Sequence, residues 1–152
     1  MPYEIEVTAT CTASREVVFK HLSVAEAWNE WARLPTRSRR ESEGEKVPNG
    51  VGAVRHIPPV REKVVVHDPP RHYAYVGVSG LPLRDYRSDV TLEPHGVYTL
   101  VRWRAAFEPK IPCTGPIARF FVRRLITSFA RRLAWHSQHC EPGCPARLPT
   151  AH

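Results

Sequence analysis

Val97-Tyr98-Thr99-Leu100-Val101-Arg102-Trp103-Arg104-Ala105-Ala106-Phe107 and, after a short linker, Gly115-Pro116-Ile117-Ala118-Arg119-Phe120-Phe121-Val122-Arg123-Arg124-Leu125-Ile126 place two hydrophobic periods side by side. In the first stretch Val97, Thr99, Val101, Trp103, Ala105 and Phe107 share one face and Arg102 and Arg104 take the other, which predicts a half-buried strand over 97–107. In the second, Ala118, Phe121, Val122, Leu125, Ile126, Phe129 and Leu133 fall on one arc of a helical wheel. Arg119, Arg123, Arg124 and Arg131 lie largely opposite, with Arg132 at the apolar edge. Pro116 suits a first helical turn, and Ile117 to His136 holds neither Gly nor Pro. The spacing therefore predicts one amphipathic helix from Gly115–Pro116 to about His136, about 30 Å long at 1.5 Å per residue. It should bury one stripe and expose a basic one.

Upstream of Val97 the period of two continues back to Arg37, interrupted by turn residues at Pro48-Asn49-Gly50, Pro58-Pro59, Asp68-Pro69-Pro70, Gly80-Leu81-Pro82 and Pro94-His95-Gly96. These breaks divide it into strands at about 38–43, 52–57, 61–67, 72–79 and 86–92, and the short links favour an antiparallel meander that ends in 97–107. At the start of the chain, Tyr3, Ile5, Val7, Ala9 and Cys11 alternate with Glu4, Glu6, Thr8 and Thr10 as a further half-buried strand. Ser14 can cap a short helix over 16–22 that carries Val17, Val18 and Leu22. A second helix is predicted over 24–34, with Trp28 and Trp31 on one side and Pro35 as its stop.

The chain has 152 residues, with 22 Lys plus Arg against 15 Asp plus Glu, for a net charge of +7 and a pI near 9.6. That size suits one domain, and 42% hydrophobic with 24% charged residues excludes a disordered or collagen-like chain even with 15 prolines. No apolar run reaches the roughly 18–20 residues of a membrane span, and Met1 to Cys11 alternates where a signal peptide would be uniformly apolar. A cytoplasmic protein with reduced thiols is the expectation, because Cys11, Cys113, Cys140 and Cys144 are too few and too uneven for a disulfide framework. The basic charge favours anionic partners without naming one.

Strand, two short helices, a six-strand meander and one long C-terminal helix is the helix-grip order: an α+β fold whose curved, seven-stranded antiparallel sheet and helices enclose a cavity. Over about 3–139 the chain resembles the SRPBCC superfamily, in particular the START-like polyketide cyclase/dehydrase proteins of actinobacteria. The resemblance rests on that order, on Ala13-Ser14-Arg15-Glu16-Val17-Val18-Phe19, Trp28-Asn29-Glu30-Trp31 and Gly50-Val51-Gly52-Ala53, and on Arg84-Asp85-Tyr86-Arg87-Ser88-Asp89-Val90. It implies an elongated, mostly apolar cavity between sheet and helix. Relatives hold lipids, polyketides or other hydrophobic molecules there, and some cyclise or dehydrate them by shaping the chain while an Arg or Tyr polarises its carbonyls. Residues 1–139 would form this domain and 140–152 a flexible tail.

Candidate ligand-binding residues are Arg55, Tyr73, Tyr75, Tyr86, Ser88 and Trp103 on strands, Trp28 and Trp31 on the helical side, and Phe121 and Leu125 on the long helix. Taken singly, each aromatic reads more readily as core filler, because large aromatics are commonly buried for packing alone. The alternation leaves open whether Arg55 or His56 points inward. No catalytic residue is assigned: His56, His67, His72 and His95 are scattered, no Ser-His-Asp or Cys-His set assembles, and Gly50-Val51-Gly52 is no dinucleotide fingerprint. No cofactor is expected. His136, His139, Cys140 and Cys144 carry zinc-type donors, but Pro142, Gly143 and Pro145 argue for a loose tail there, so no metal is expected either. A Cys140–Cys144 disulfide would be geometrically possible and labile in a reducing compartment. The arginines of the long helix, with Arg37, Arg39 and Arg40, lack the exposed stacking aromatics of a nucleic-acid binder, so no nucleic-acid partner is expected.

The expected function is binding of a hydrophobic small molecule by a monomer or homodimer, with contact to an anionic membrane or acyl carrier through the basic helix. The alternatives are a polyketide cyclase/dehydratase, or a toxin-like interaction protein that uses that helix.

Overall fold

The computed structural model describes residues 2–147; residues 148–152 of the expected tail lie outside the described part. The sheet is built from β1 (Tyr3–Cys11), β2 (Arg39–Ser42), β3 (Val54–Ile57), β4 (Val60–Asp68), β5 (His72–Ser79), β6 (Leu83–His95) and β7 (Tyr98–Pro109). The helices are α1 (Arg15–Ser23), α2 (Trp28–Trp31) and α3 (Gly115–His139). All seven strands form one antiparallel sheet in the order β1-β7-β6-β5-β4-β3-β2. Strands β2 to β7 are thus a simple meander, and β1 returns the start of the chain to the side of β7.

Alternation in β1 and β7 sorts the two faces. Val101, Trp103, Ala105 and Phe107 are buried toward α3. On the outer face Arg102 and Arg104 reach Glu6 at 3.2 and 2.9 Å, and Arg102 also reaches Glu93 at 3.3 Å. These outer pairs are solvated and each adds at most about 1 kcal/mol. Helix α3 packs on β1, β7 and α1. Its start is fixed by close approach: a Cβ on Gly115 would collide with the Tyr3 ring, which itself stacks on Phe107 at 5.7 Å. Near its other end Gln138 accepts a 2.7 Å hydrogen bond from the Thr12 backbone.

The local departures from the sequence expectation have physical causes. Residues 24–34 form no continuous helix, because Val24 is extended, 25–27 make a 3-10 turn and Arg33 takes a φ of 52° ahead of Leu34-Pro35. This break turns the Trp28 and Trp31 indoles back to donate to the Leu22 and His21 carbonyls at 2.8 and 3.0 Å. They thereby satisfy groups that the last turn of α1 leaves free. Strand β3 starts at Val54, since Gly52 (φ 93°) and Ala53 close a turn instead. Strand β6 is longer than 86–92 because a bulge at Arg84–Arg87, with Asp85 at φ 52°, shifts its register and masks the alternation. Helix α3 runs on to His139.

After α3 the described chain stays on the body of the protein. A 3-10 turn at Pro145–Arg147 lets Cys144 and Ala146 bury themselves against Val24 and Ala27. Among the described residues, no helix is long and apolar enough to cross a membrane.

Candidate functional site

The volume between sheet and α3 divides into a filled part and an open part. Trp28, Trp31, Trp103 and Phe129 interlock, with ring centroids 4.5 Å apart for Trp28–Trp31, 5.3 Å for Trp28–Phe129 and 5.7 Å for Trp103–Phe129. Tilted and edge-on rings at these separations are favourable packing, and they leave no room for a guest at the centre. Of the expected ligand-binding residues, Trp28, Trp31, Tyr73, Ser88 and Trp103 belong to this closed core, and Trp31 also edges a separate surface hollow beside Arg33, Arg131 and Trp135.

Beside the core a groove of about 580 Å³ remains open between the first half of α3 and the tips of the β3–β4 and β5–β6 hairpins. Tyr75, Tyr86, Phe121 and Leu125 line it. Phe121 (63% exposed) and Leu125 (48%) sit at the rim, so the α3 stripe assigned to the core is split: Val122, Ile126, Phe129 and Leu133 are buried and these two face the opening. The hairpin side is held in shape by two contacts. Thr36 Oγ1 donates to the Pro58 carbonyl at 2.7 Å, and Gly80 (φ 85°) lies so close to the Pro59 carbonyl that any Cβ would collide with it.

The polar groups gather at the floor. Arg55 resolves inward and is 4% exposed, while its neighbour His56 faces outward to Arg39 at 3.2 Å. Arg55 stands opposite Glu62 across the β3–β4 hairpin and donates to its carboxylate at 2.7 Å. Burial is the largest influence and opposes the guanidinium charge, but the Glu62 carboxylate together with Tyr73 and Tyr75 outweighs it, and Arg55 stays protonated. Among the described residues its Nε and Nη1 find no hydrogen-bond acceptor. Instead the guanidinium carbon lies 3.8 Å from the Trp28 ring centre and 4.8 Å from that of Tyr75, where the ring faces attract a cation. Arg55 is thus an internal brace, and Glu62 is its groove-facing end.

Next to this pair, Ser88 Oγ donates to the Tyr86 hydroxyl at 2.8 Å, and Tyr75 shares hydrogen bonds with both. Burial pushes the Tyr86 phenol up to about 12 and the Tyr75 phenol well above its ordinary value. Both stay protonated at neutral pH. The floor therefore offers a hydroxyl cluster that can turn one of its hydrogen bonds outward to a carbonyl or hydroxyl, set in an otherwise apolar channel whose size lies within the usual range for small-molecule pockets of about 300–1,000 Å³.

A curved antiparallel sheet wrapped on one long helix, with an apolar groove between them, defines a helix-grip, START-like protein. The chain belongs to the polyketide cyclase/dehydrase and lipid transport family, whose model matches residues 2–138. The family implies hydrophobic ligand binding or cyclase activity. No curated protein matches the chain.

Among solved structures it is similar to a START superfamily protein from Mycobacterium smegmatis, with a TM-score of 0.77 and 15% identity over 91% of this chain and 99% of that one. The Zhui aromatase/cyclase of Streptomyces sp. R1128 gives a TM-score of 0.73 at 13% identity, over 91% of this chain and 95% of its own. Norcoclaurine synthase of Thalictrum flavum gives 0.68 at 14% identity, over 91% and 96%. At such identities the likeness is one of fold.

Proposed function

We propose that this protein binds an elongated apolar molecule bearing at least one carbonyl or hydroxyl group, lipid-like or polyketide-like, in the groove under the first half of α3. The observation that carries this reading is the pairing of an apolar channel of about 580 Å³ with protonated Tyr75 and Tyr86 at its floor. Apolar burial supplies the affinity, at about 25 cal/mol per Å² of surface removed from water, and the phenols orient the polar end. At the rim, exposed Ile117, Phe120, Phe121 and Leu125 adjoin exposed Arg119, Arg123 and Arg124. That mixture supports loading from an anionic lipid surface or an acidic carrier protein.

A cyclase or dehydratase reading is favoured by the same hydroxyl cluster, because two phenol donors beside one carbonyl would stabilise an enolate as it forms. It needs a proton acceptor as well. Glu62 is the carboxylate at the floor, and it is already engaged by Arg55 at 2.7 Å. Binding is thus the primary reading and catalysis the secondary one.

Native mass spectrometry of the purified protein, followed by organic extraction, tests the primary reading. A recurrent apolar passenger near one per chain supports it, and a protein that arrives empty and takes up no fatty acid or polyketide mimic contradicts it. Tyr86→Phe should weaken a carbonyl-bearing ligand about tenfold, or about 1.4 kcal/mol, and leave a plain hydrocarbon chain unaffected. Parallel calorimetric titrations with the two ligand types check this.

A further inference from the structure

Away from the groove, at the opposite end of α3, four soft or borderline donors converge. His21 on α1, His136 in the last turns of α3, Cys140 at its C-cap and Cys144 beyond it place one ligand atom each within 4.8 Å of all the others. Cys140 Sγ lies 3.1 Å from His21 Nε2, and Cys144 Sγ lies 3.6 Å from His21 Nε2 and 3.7 Å from His136 Nε2. A tetrahedral ion with bonds of about 2.3 Å to sulfur and 2.0–2.1 Å to nitrogen would set its ligand atoms about 3.5 Å apart, close to these separations.

The surroundings are built in the manner of such a site. His21 is fully buried. Its Nδ1 lies 2.8 Å from the Val17 carbonyl, so the ring donates there and turns the Nε2 lone pair toward the two sulfurs. Fixing the tautomer through the far nitrogen is the usual support of a metal-bound imidazole. His139, which the sequence sets beside these donors, is not part of the group: it stacks on Trp135 at 4.3 Å and bonds that residue's carbonyl. The spacing around Cys140 is also exploited by the fold, since His136 and Cys140 stand one turn apart and the Cys144 amide closes a turn onto the Glu141 carbonyl at 3.1 Å.

We propose that His21, His136, Cys140 and Cys144 form a structural zinc site that clamps the C-terminal segment to α1. Binding would replace two thiol protons by one divalent cation and release those protons to solvent, so two thiolates and two neutral imidazoles neutralise the ion. Four protein ligands leave no open position for substrate, which makes the role structural and not catalytic. Glu30 and Arg147, of opposite sign, are the charged groups that face the cluster.

The test uses the full-length chain purified anaerobically with a phosphine reductant, loaded with zinc or cobalt(II) and passed through a desalting column. The expected result is one zinc per chain by elemental analysis. Cobalt loading should give the intense visible bands of a tetrahedral ion, with thiolate charge transfer in the near ultraviolet. Both signals should vanish in Cys144→Ser and His136→Gln and persist in Cys113→Ser, which alters the exposed cysteine. Failure of the wild-type chain to retain either metal overturns the site even if the variants misfold. A weak octahedral cobalt spectrum, or a mass showing Cys140 and Cys144 oxidised to each other despite the reductant, does so too.

Discussion

Glu62→Ala is expected to destabilise the protein by about 3–5 kcal/mol, the usual cost of removing one partner from a buried ion pair. The substitution leaves the Arg55 guanidinium charged among Trp28, Tyr75 and Tyr73, with Nε and Nη1 already lacking acceptors. Only ring faces would then offset its lost hydration. Against a typical total of about 5–15 kcal/mol this is a large fraction. Replacing both partners, as in Arg55→Met with Glu62→Leu, should recover most of the loss, because the penalty belongs to the orphaned charge more than to the missing bond. Urea unfolding of the two variants checks both statements. A loss under about 1 kcal/mol for Glu62→Ala would mean that water reaches Arg55 and that the floor of the groove is not sealed.

Ala118→Trp carries the second large effect. Ala118 lies on α3 beside Val122 and lines the groove, so an indole there would occupy the volume proposed for the ligand while adding apolar contact to the rim. Affinity for a fluorescent fatty acid should fall at least about tenfold, or about 1.4 kcal/mol, with the unfolding midpoint unchanged or raised. Equilibrium fluorescence titration beside a denaturation curve separates these two outcomes. Undiminished binding would remove the groove from the account.

Element order was legible in the sequence because it rests on periodicity, and the alternation of β1 and β7 and the long arc of α3 are strong signals. The residues that finish the site are coupled across space, which a linear reading handles poorly. Placing Trp28, Trp31 and Trp103 on the inner side is what the pattern permits. That they would fill the centre depends on Phe129 arriving from α3 to complete the cluster.

Glu62 went unassigned although a signal existed. Treating Pro58-Pro59 as a two-residue turn pairs Ile57 with Val60 and therefore Arg55 with Glu62. Opposite charges at one cross-strand pair put Arg55 and Glu62 on the same face, and the Trp28 and Tyr75 rings against Arg55 make that face the inner one. His21 offered no such signal. It lies far along the chain from Cys140, and only the packing of α1 on the end of α3 brings the two together.

The central claim is that the groove under the first half of α3 is the binding site. Amide chemical-shift mapping of the isotopically labelled protein during titration with a medium-chain fatty acid tests it most directly. The account predicts saturable shifts concentrated at 117–129, 57–62 and 81–86, with the amides of β1 undisturbed. Shifts that fail to saturate, or that gather on a different face of the protein, would contradict it.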